Sequence, residues 1–215
     1  MRELRGRVAQ VPGGVEVEFS PPDAPITSLP TGIIVPPWRR GVTGEVIDRF
    51  SSFAKQGDQR ELLEAVRVAE PRLTRLEVLT ESGKPDLWGT LEGGVSLPVS
   101  QLGDGLGKLI AIYVAIPQAR NGMVAVDEVE AGIHWKSLPR MWSSIIELAN
   151  RFDVQIVATT HSDECVRAAY DAASGTLWKD QLVLHRMYRK GKEIGTAVYQ
   201  GEALAAALES GFDVR

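Results

Sequence analysis

Two adjacent carboxylates, Asp127 and Glu128, directly follow the apolar run MVAV at 123–126. Such a run is typical of a buried strand, and in open α/β sheets ligands bind at the carboxyl ends of the strands. Because adjacent residues of a strand point to opposite faces, the two acids can perform different tasks. One can hold a metal ion through its water shell while the other polarises a water molecule. The alternative is a strand that ends in a solvated acidic turn.

A second apolar run, VQIVA at 154–158, is followed by TTHS at 159–162. His161 therefore comes one strand–helix–strand unit after Glu128, which predicts that both lie at the carboxyl edge of neighbouring parallel strands. A histidine there can donate a hydrogen bond to a phosphate oxygen or to an attacking water. The alternative for a lone histidine after a strand is a structural role.

The stretch GDGLGKLI at 103–110 looks like a glycine-rich phosphate loop, which requires the pattern G-x-x-x-x-G-K-[ST]. The first glycine of that pattern would stand at Leu102, and the hydroxyl that binds Mg²⁺ would stand at Leu109. Both requirements fail, and no other stretch of the 215 residues has the pattern. We therefore interpret 103–110 as the start of a buried helix.

The composition is that of an ordinary globular protein, with 44% hydrophobic and 24% charged residues. A net charge of −4 gives no overall basic field, so nucleic acid could be contacted only locally. One such place is PPWRR at 36–40, for which a plain surface turn is the favoured interpretation. A single cysteine, Cys165, excludes internal disulfides, and the longest apolar run is too short to span a bilayer. We expect a cytoplasmic protein without a membrane partner.

From residue 100 onward, buried apolar runs alternate with helical patterns, which is typical of a parallel sheet with helices on both faces. The sequence therefore predicts an α/β fold. Before that point the chain shows strands, proline-rich connectors and two helices between 43 and 69. We predict a smaller α+β arm at 1–97 and an α/β core at 98–215.

Together these segments resemble the ATPase domains of the ABC class, in its soluble branch of SMC-like and OLD-like bacterial AAA-family P-loop ATPases. In that class a signature loop opens a buried helix, and a Walker B strand, a D-loop and a switch histidine follow. The corresponding segments here are a signature loop at 100–108, Walker B at 123–128, a D-loop at 130–134 and His161. The resemblance covers the chain from about residue 97 to residue 200.

The resemblance implies the carboxyl-terminal lobe of an ABC-type P-loop NTPase that uses ATP and Mg²⁺, in DNA repair or phage defence. Asp127 would hold the Mg²⁺ water shell, Glu128 would act as general base, and His161 would contact the γ-phosphate. The signature loop would bind the γ-phosphate of a nucleotide held by the opposite protomer. The residues implied in that contact are Ser100, Gly103, Asp104 and Gly105.

Two features of the sequence depart from the class, and the second affects the expected partners. The common signature is L-S-G-G-Q, whereas here Gly103 stands at the serine position and Asp104 follows it. The Walker A pattern is missing, so we expect the carboxyl-terminal portion of such an ATPase. Its partner would be a second copy in a head-to-tail homodimer or an amino-terminal chain that carries Walker A. The rival hypothesis is a catalytically silent interaction or regulatory module. A nuclease that uses Asp127, Glu128 and Glu130 as metal ligands is disfavoured.

The signature interpretation also ranks two residues of the loop. Gly105 is expected to matter for nucleotide-dependent association rather than for folding, because a side chain there would block the approach of a phosphate. Lys108 is expected to be less sensitive, because it is not the lysine that grips phosphate.

Overall fold

The structure, a computed structural model, describes residues 5–11, 14–20, 31–37, 42–55, 57, 59–81, 83–191 and 193–210. The chain divides into two compact units, 1–30 and 31–215. In the first unit, β1 (Arg5–Val11) pairs antiparallel with β2 (Gly14–Ser20), where the alternation of apolar and acidic residues predicts a strand. The aromatic and the two arginines of PPWRR lie outside the described residues.

The second unit contains the remaining helices and strands, in an order close to the predicted one. In chain order these are β3 (Gly32–Val35), α1 (Gly44–Lys55), α2 (Gln59–Val66), β4 (Leu73–Glu81), β5 (Lys84–Leu91), β6 (Ser96–Pro98), α3 (Asp104–Gln118), β7 (Met123–Val126), α4 (Leu138–Phe152), β8 (Gln155–Ala158), α5 (Asp163–Ser174), β9 (Val183–Lys190), β10 (Glu193–Gln200) and α6 (Gly201–Glu209). The predicted division of the chain at residue 97 stays a prediction.

Three parallel strands in the order β3–β7–β8 position the predicted site. Their register aligns Val35 with Val126 and Val126 with Ala158, so all three strands end at the same level. The residues that follow β7 and β8 therefore emerge side by side at one edge of the sheet. The prediction of an α/β fold with a parallel sheet is confirmed.

Helix α3 packs against β3 and β7 on one face of this sheet, with α1 and α4 beside it. Every residue of α3 from 105 to 116 is buried, and the apolar run at 109–116 predicts this burial for the second half of the helix. On β3, Ile33 points into this core and is 8% exposed, whereas its neighbour Ile34 is 72% exposed. Val157 of β8 is also exposed, so the second face of the sheet presents apolar side chains within the described part.

The other strands form two antiparallel sheets. Strands β4, β5 and β6 form a meander, and β9 pairs with β10 in a hairpin beside α6. In that hairpin Gly195 lies under the ring of Tyr188, where any side chain would collide with the ring. Across the part of the chain that the structure describes, no helix has the length and apolarity needed to cross a bilayer.

The two neighbouring isoleucines of β3 give a matched test of this arrangement. Ile33→Ala should cost about 2–5 kcal/mol of unfolding free energy, because it opens a cavity in the core. Ile34→Ala should change the free energy by less than about 0.5 kcal/mol, because its side chain contacts mainly solvent. Urea denaturation of the two variants measures both values. Equal losses would contradict the described exposure of the second sheet face.

Candidate functional site

The two acids follow β7 in a turn rather than in a continued strand. The Asp127 N–H donates to the Val35 carbonyl at 3.1 Å, which extends the parallel ladder by one residue. Asp127 is half-buried, and Glu128 is exposed. Glu128 has a φ of 48°, in the left-handed region that residues other than glycine seldom adopt. Such a conformation costs on the order of 1–3 kcal/mol and persists only where the surroundings impose it.

Thr159, the first residue after β8, joins both acids to the neighbouring strand. Its hydroxyl donates to Oδ1 of Asp127 and accepts the backbone N–H of Glu128 at 2.8 Å. Its carbonyl accepts the N–H of Val129 at 3.0 Å. Thr159 is not among the predicted site residues. Its position directly after a strand that lies beside the acids could have indicated this contact.

Lys108 of α3 contacts the backbone of the same turn. Its side chain is fully buried, and Nζ donates to the carbonyl oxygens of Asp127 at 2.5 Å and of Glu128 at 2.7 Å. Burial lowers the pKa of Lys108, and the carboxylates of Glu128, Asp127 and Glu130 oppose that shift. The predicted low sensitivity of Lys108 does not fit this position, because a buried ammonium group and two buried carbonyls depend on each other.

The predicted signature loop (100–108) touches the predicted D-loop (130–134) through two glycines. A methyl group at Gly105 would overlap the Gly132 carbonyl oxygen and lie 2.7 Å from its carbonyl carbon and 2.8 Å from Cδ1 of Ile133. Gly132 itself has a φ of 77°, and a Cβ there would lie 2.6 Å from the Gly105 nitrogen. The expectation that Gly105 is unimportant for folding is therefore wrong, because the two backbones are already in contact within one chain.

His161, the predicted switch histidine, is held by its backbone. The His161 N–H donates to Oε1 of Glu130 at 3.0 Å, and the His161 side chain is exposed. Glu130 thus connects the D-loop to the loop after β8. The next residue, Ser162, caps α5 by accepting the Cys165 N–H at 3.1 Å.

The other predicted signature residues lie on the surface. Gly103, with a φ of 112°, is the residue before α3, and Asp104 is the first residue of that helix. An acid in the first turn of a helix is favourable for the helix dipole. Ser100 is exposed in the short 3₁₀ turn before the helix, whereas Gly105 is buried. The structure brings Asp127, Glu128 and the loop that carries His161 together at one edge of the sheet. The roles of these residues stay predictions.

A single carboxylate, that of Asp127, can contribute to a Mg²⁺ site at this edge of the sheet. Within the described residues, no three side chains of the types His, Cys, Asp or Glu are grouped to hold a metal ion. Mg²⁺ is usually bound by one or two carboxylates, with substrate phosphates and waters completing its octahedron. The half-buried Asp127, oriented by Thr159, fits that pattern.

The contact between the two loops predicts the effect of a single methyl group. Gly105→Ala should lose about 1–3 kcal/mol of unfolding free energy, because the Gly132 backbone must move to accommodate it. Gly44→Ala is the control, since it lies in the first turn of α1 with nothing within 4 Å of the added atom. The control should be neutral or slightly stabilising. A Gly105→Ala protein as stable as the control in thermal unfolding would contradict the contact.

Solved structures similar to this chain are heads of SMC proteins. One, from work on ATP-driven dimerization and DNA-stimulated activation of SMC ATPases, has a TM-score of 0.52 and 13% identity, covering 75% of this chain and 96% of that chain. A Pyrococcus furiosus Smc head with an extended coiled coil, bound to the C-terminal domain of ScpA, has a TM-score of 0.52 and 13% identity, covering 74% and 38%. An SmcHead bound to the C-winged helix domain of ScpA has a TM-score of 0.51 and 14% identity, covering 73% and 49%.

These likenesses establish the fold, and this chain spans less than half the length of the second and third of those chains. No functionally curated protein matches the sequence. The sequence profile of one family, described as "AAA domain, putative AbiEii toxin, Type IV TA system", matches residues 38–167, which is more than half of the chain. The chain therefore belongs to this AAA-domain family, as the predicted resemblance to AAA-family ATPases implies, and the SMC structures share its fold.

Proposed function

We propose that this chain supplies the Mg²⁺-binding and water-activating half of a composite ATP-hydrolysing site. One observation carries the proposal: Asp127 and Glu128 are fixed side by side at the carboxyl edge of a parallel sheet by Thr159 and Lys108. Catalysis by preorganised groups requires such fixed positions. The phosphate loop comes from a segment outside these 215 residues.

In the proposed reaction, each residue of the edge has one task. Asp127 would hold Mg²⁺ through its water shell, and a bound ion would supply positive charge beside the β- and γ-phosphates. Glu128, whose side chain is exposed, accepts the proton of the water that attacks the γ-phosphorus. His161, placed by the contact of its N–H with Glu130, donates a hydrogen bond to a γ-phosphate oxygen.

The signature loop acts on the second site of a head-to-tail dimer. Ser100, Gly103 and Asp104 are exposed around the start of α3, where backbone N–H groups and the helix dipole favour an anion. Gly105 lies beneath this surface against the D-loop, so it supports the loop rather than meeting the phosphate. The D-loop therefore takes part in the same interface.

The exposed face of the parallel sheet supports a missing lobe. Parallel sheets are normally covered on both faces, yet Ile34 is 72% exposed and Val157 is 45% exposed. Within the described residues, β8 pairs only with β7, so its second edge is open to another strand. A segment that carries Walker A would cover this face and place its loop beside Glu128 and His161.

The biological setting is proposed from the family. Its description names a toxin of a type IV toxin–antitoxin system, which supports phage defence more than DNA repair. We place the protein in the cytoplasm, with residues 98–215 as the ATPase core and residues 1–97 as an arm. A second candidate function, a catalytically silent regulatory module, is favoured by the missing Walker A pattern.

The isolated chain should bind Mg-ATP with a Kd above about 100 μM, because the loop that supplies most phosphate contacts is missing. Isothermal titration calorimetry on the 215-residue chain measures this affinity. Micromolar binding would contradict the proposal, since it would require a phosphate site within this chain.

Addition of the Walker A segment, in trans or by fusion, should produce steady phosphate release that depends on Glu128. Glu128→Gln keeps the shape of the side chain but removes the base, so turnover should fall by about 10²–10⁴-fold while ATP binding survives. Glu147→Gln is the control, because Glu147 is an exposed glutamate on α4. Turnover unchanged in Glu128→Gln would exclude Glu128 as the base, and no turnover in any assembly would favour the silent module.

A further inference from the structure

We propose that Lys108 is the positioning residue of the general base, and that it links the signature helix to the conformation of Glu128. The inference rests on the proposed role of Glu128 in hydrolysis. It concerns a residue that the sequence places in the signature loop and that the structure places in contact with the Walker B turn.

The direction of two carbonyls identifies what Lys108 does. In a β-strand, successive carbonyls point to opposite sides, as the pleat requires. The carbonyl oxygens of Asp127 and Glu128 instead converge on one Nζ atom, at 2.5 and 2.7 Å. That convergence requires the chain to turn at Glu128, which is the residue with a φ of 48°. The ammonium group therefore stabilises the turn in which the base stands.

Two hydrogen bonds fix the backbone of Glu128, one to the loop after β8 and one to helix α3. Thr159 on the loop after β8 accepts its N–H at 2.8 Å, while Lys108 on α3 donates to its carbonyl. With both peptide groups fixed, the left-handed conformation has no freedom to relax to the extended one. The side chain of Glu128 stays exposed and free to meet water.

The same lysine connects the base to the dimer interface. Lys108 lies one turn after Gly105, and Gly105 touches the D-loop backbone at Gly132. A shift of α3 that follows contact of the signature loop with a partner would therefore move the ammonium group beneath Glu128. Association and base placement are thus coupled through one side chain.

A double-mutant cycle separates this role from plain packing. Lys108→Met keeps the length of the side chain and removes the donor. It is compared in two backgrounds that both lack the Glu128 carboxylate: Glu128→Gln, which keeps the cost of a positive φ, and Glu128→Gly, which removes that cost. If Lys108 holds the left-handed turn, its loss lets the turn of the Glu128→Gln protein relax and recover the cost of the positive φ. Lys108→Met should therefore lower the folding equilibrium constant at least about fivefold less with Glu128→Gln than with Glu128→Gly. Equal losses in the two backgrounds, by urea denaturation, would overturn the proposal. If the Lys108→Met proteins do not fold, the same comparison is made with Lys108→Gln, whose shorter side chain cannot reach both carbonyls, and the same two outcomes decide.

Amide hydrogen exchange gives an independent measurement on the isolated chain. Lys108→Met should speed exchange of the Glu128 and Val129 amides by about tenfold beyond any change in the amides of α3. Ile116→Ala is the matched control: a buried residue at the far end of α3, whose loss should accelerate exchange uniformly. A uniform change in Lys108→Met would contradict a specific role at the turn.

The catalytic readout uses the assembly with a Walker A segment. Lys108→Met should lower kcat by about 10²-fold with little change in KM for ATP, and Lys108→Arg should restore part of the loss because it retains donors. The Ile116→Ala assembly should keep its kcat. A Lys108→Met assembly with normal kcat would overturn the positioning role. If the wild-type assembly hydrolyses no ATP, the proposed function fails, while the cycle and the exchange data still decide whether Lys108 sets the turn.

Discussion

The ammonium group of Lys108 lies fully buried under the turn at the end of β7, where it donates to two consecutive backbone carbonyls. An ammonium group in such a place carries a large desolvation cost unless several groups compensate for it. Here the carbonyls compensate by direct hydrogen bonds, and three nearby carboxylates compensate through their charge. The positions of α3 and of the turn after β7 therefore depend on each other.

The other loops are arranged around this contact. Gly105 and Gly132 bring the start of α3 against the D-loop, Glu130 holds the N–H of His161, and Thr159 bridges Asp127 and Glu128. Each contact joins segments that are separate in the sequence but adjacent at the sheet edge. The consequence is one contiguous group of loops at the carboxyl edge of the sheet. The half-site proposed for ATP hydrolysis consists of this group of loops.

Much of this arrangement can be predicted from local patterns. The apolar runs before Asp127 and Thr159 identify the strands, and the alternation with helices identifies a parallel sheet, because both signals are local in the chain. The functions of Lys108 and Gly105 could not be predicted in the same way. Lys108 stands in a stretch that looks like a phosphate loop, and its actual partners are backbone carbonyls 19 and 20 positions away.

Backbone carbonyls and close glycine contacts leave no residue-type signal at the partner position, which is why the importance of Gly105 for folding was also hidden. The same limit applies to β3, whose pairing with β7 joins residues about 90 positions apart. A short apolar run predicts a strand, but the neighbour it pairs with depends on the tertiary fold. The exposure of Ile34 could not be predicted either, because an apolar residue of a strand can stand on a face of the sheet that is not covered.

The contacts described above predict that the loop at 100–108, the turn after β7 and the loop at 130–134 are assembled within this chain before any nucleotide binds. A nuclear Overhauser spectrum of the nucleotide-free protein tests it most directly, through the protons of Gly105 and Gly132. We expect cross-peaks between the Hα protons of Gly132 and the amide proton of Gly105 in the absence of ATP, because these backbones are in van der Waals contact. Cross-peaks that are absent in the free chain, and arise only after nucleotide and a Walker A segment are added, would contradict it.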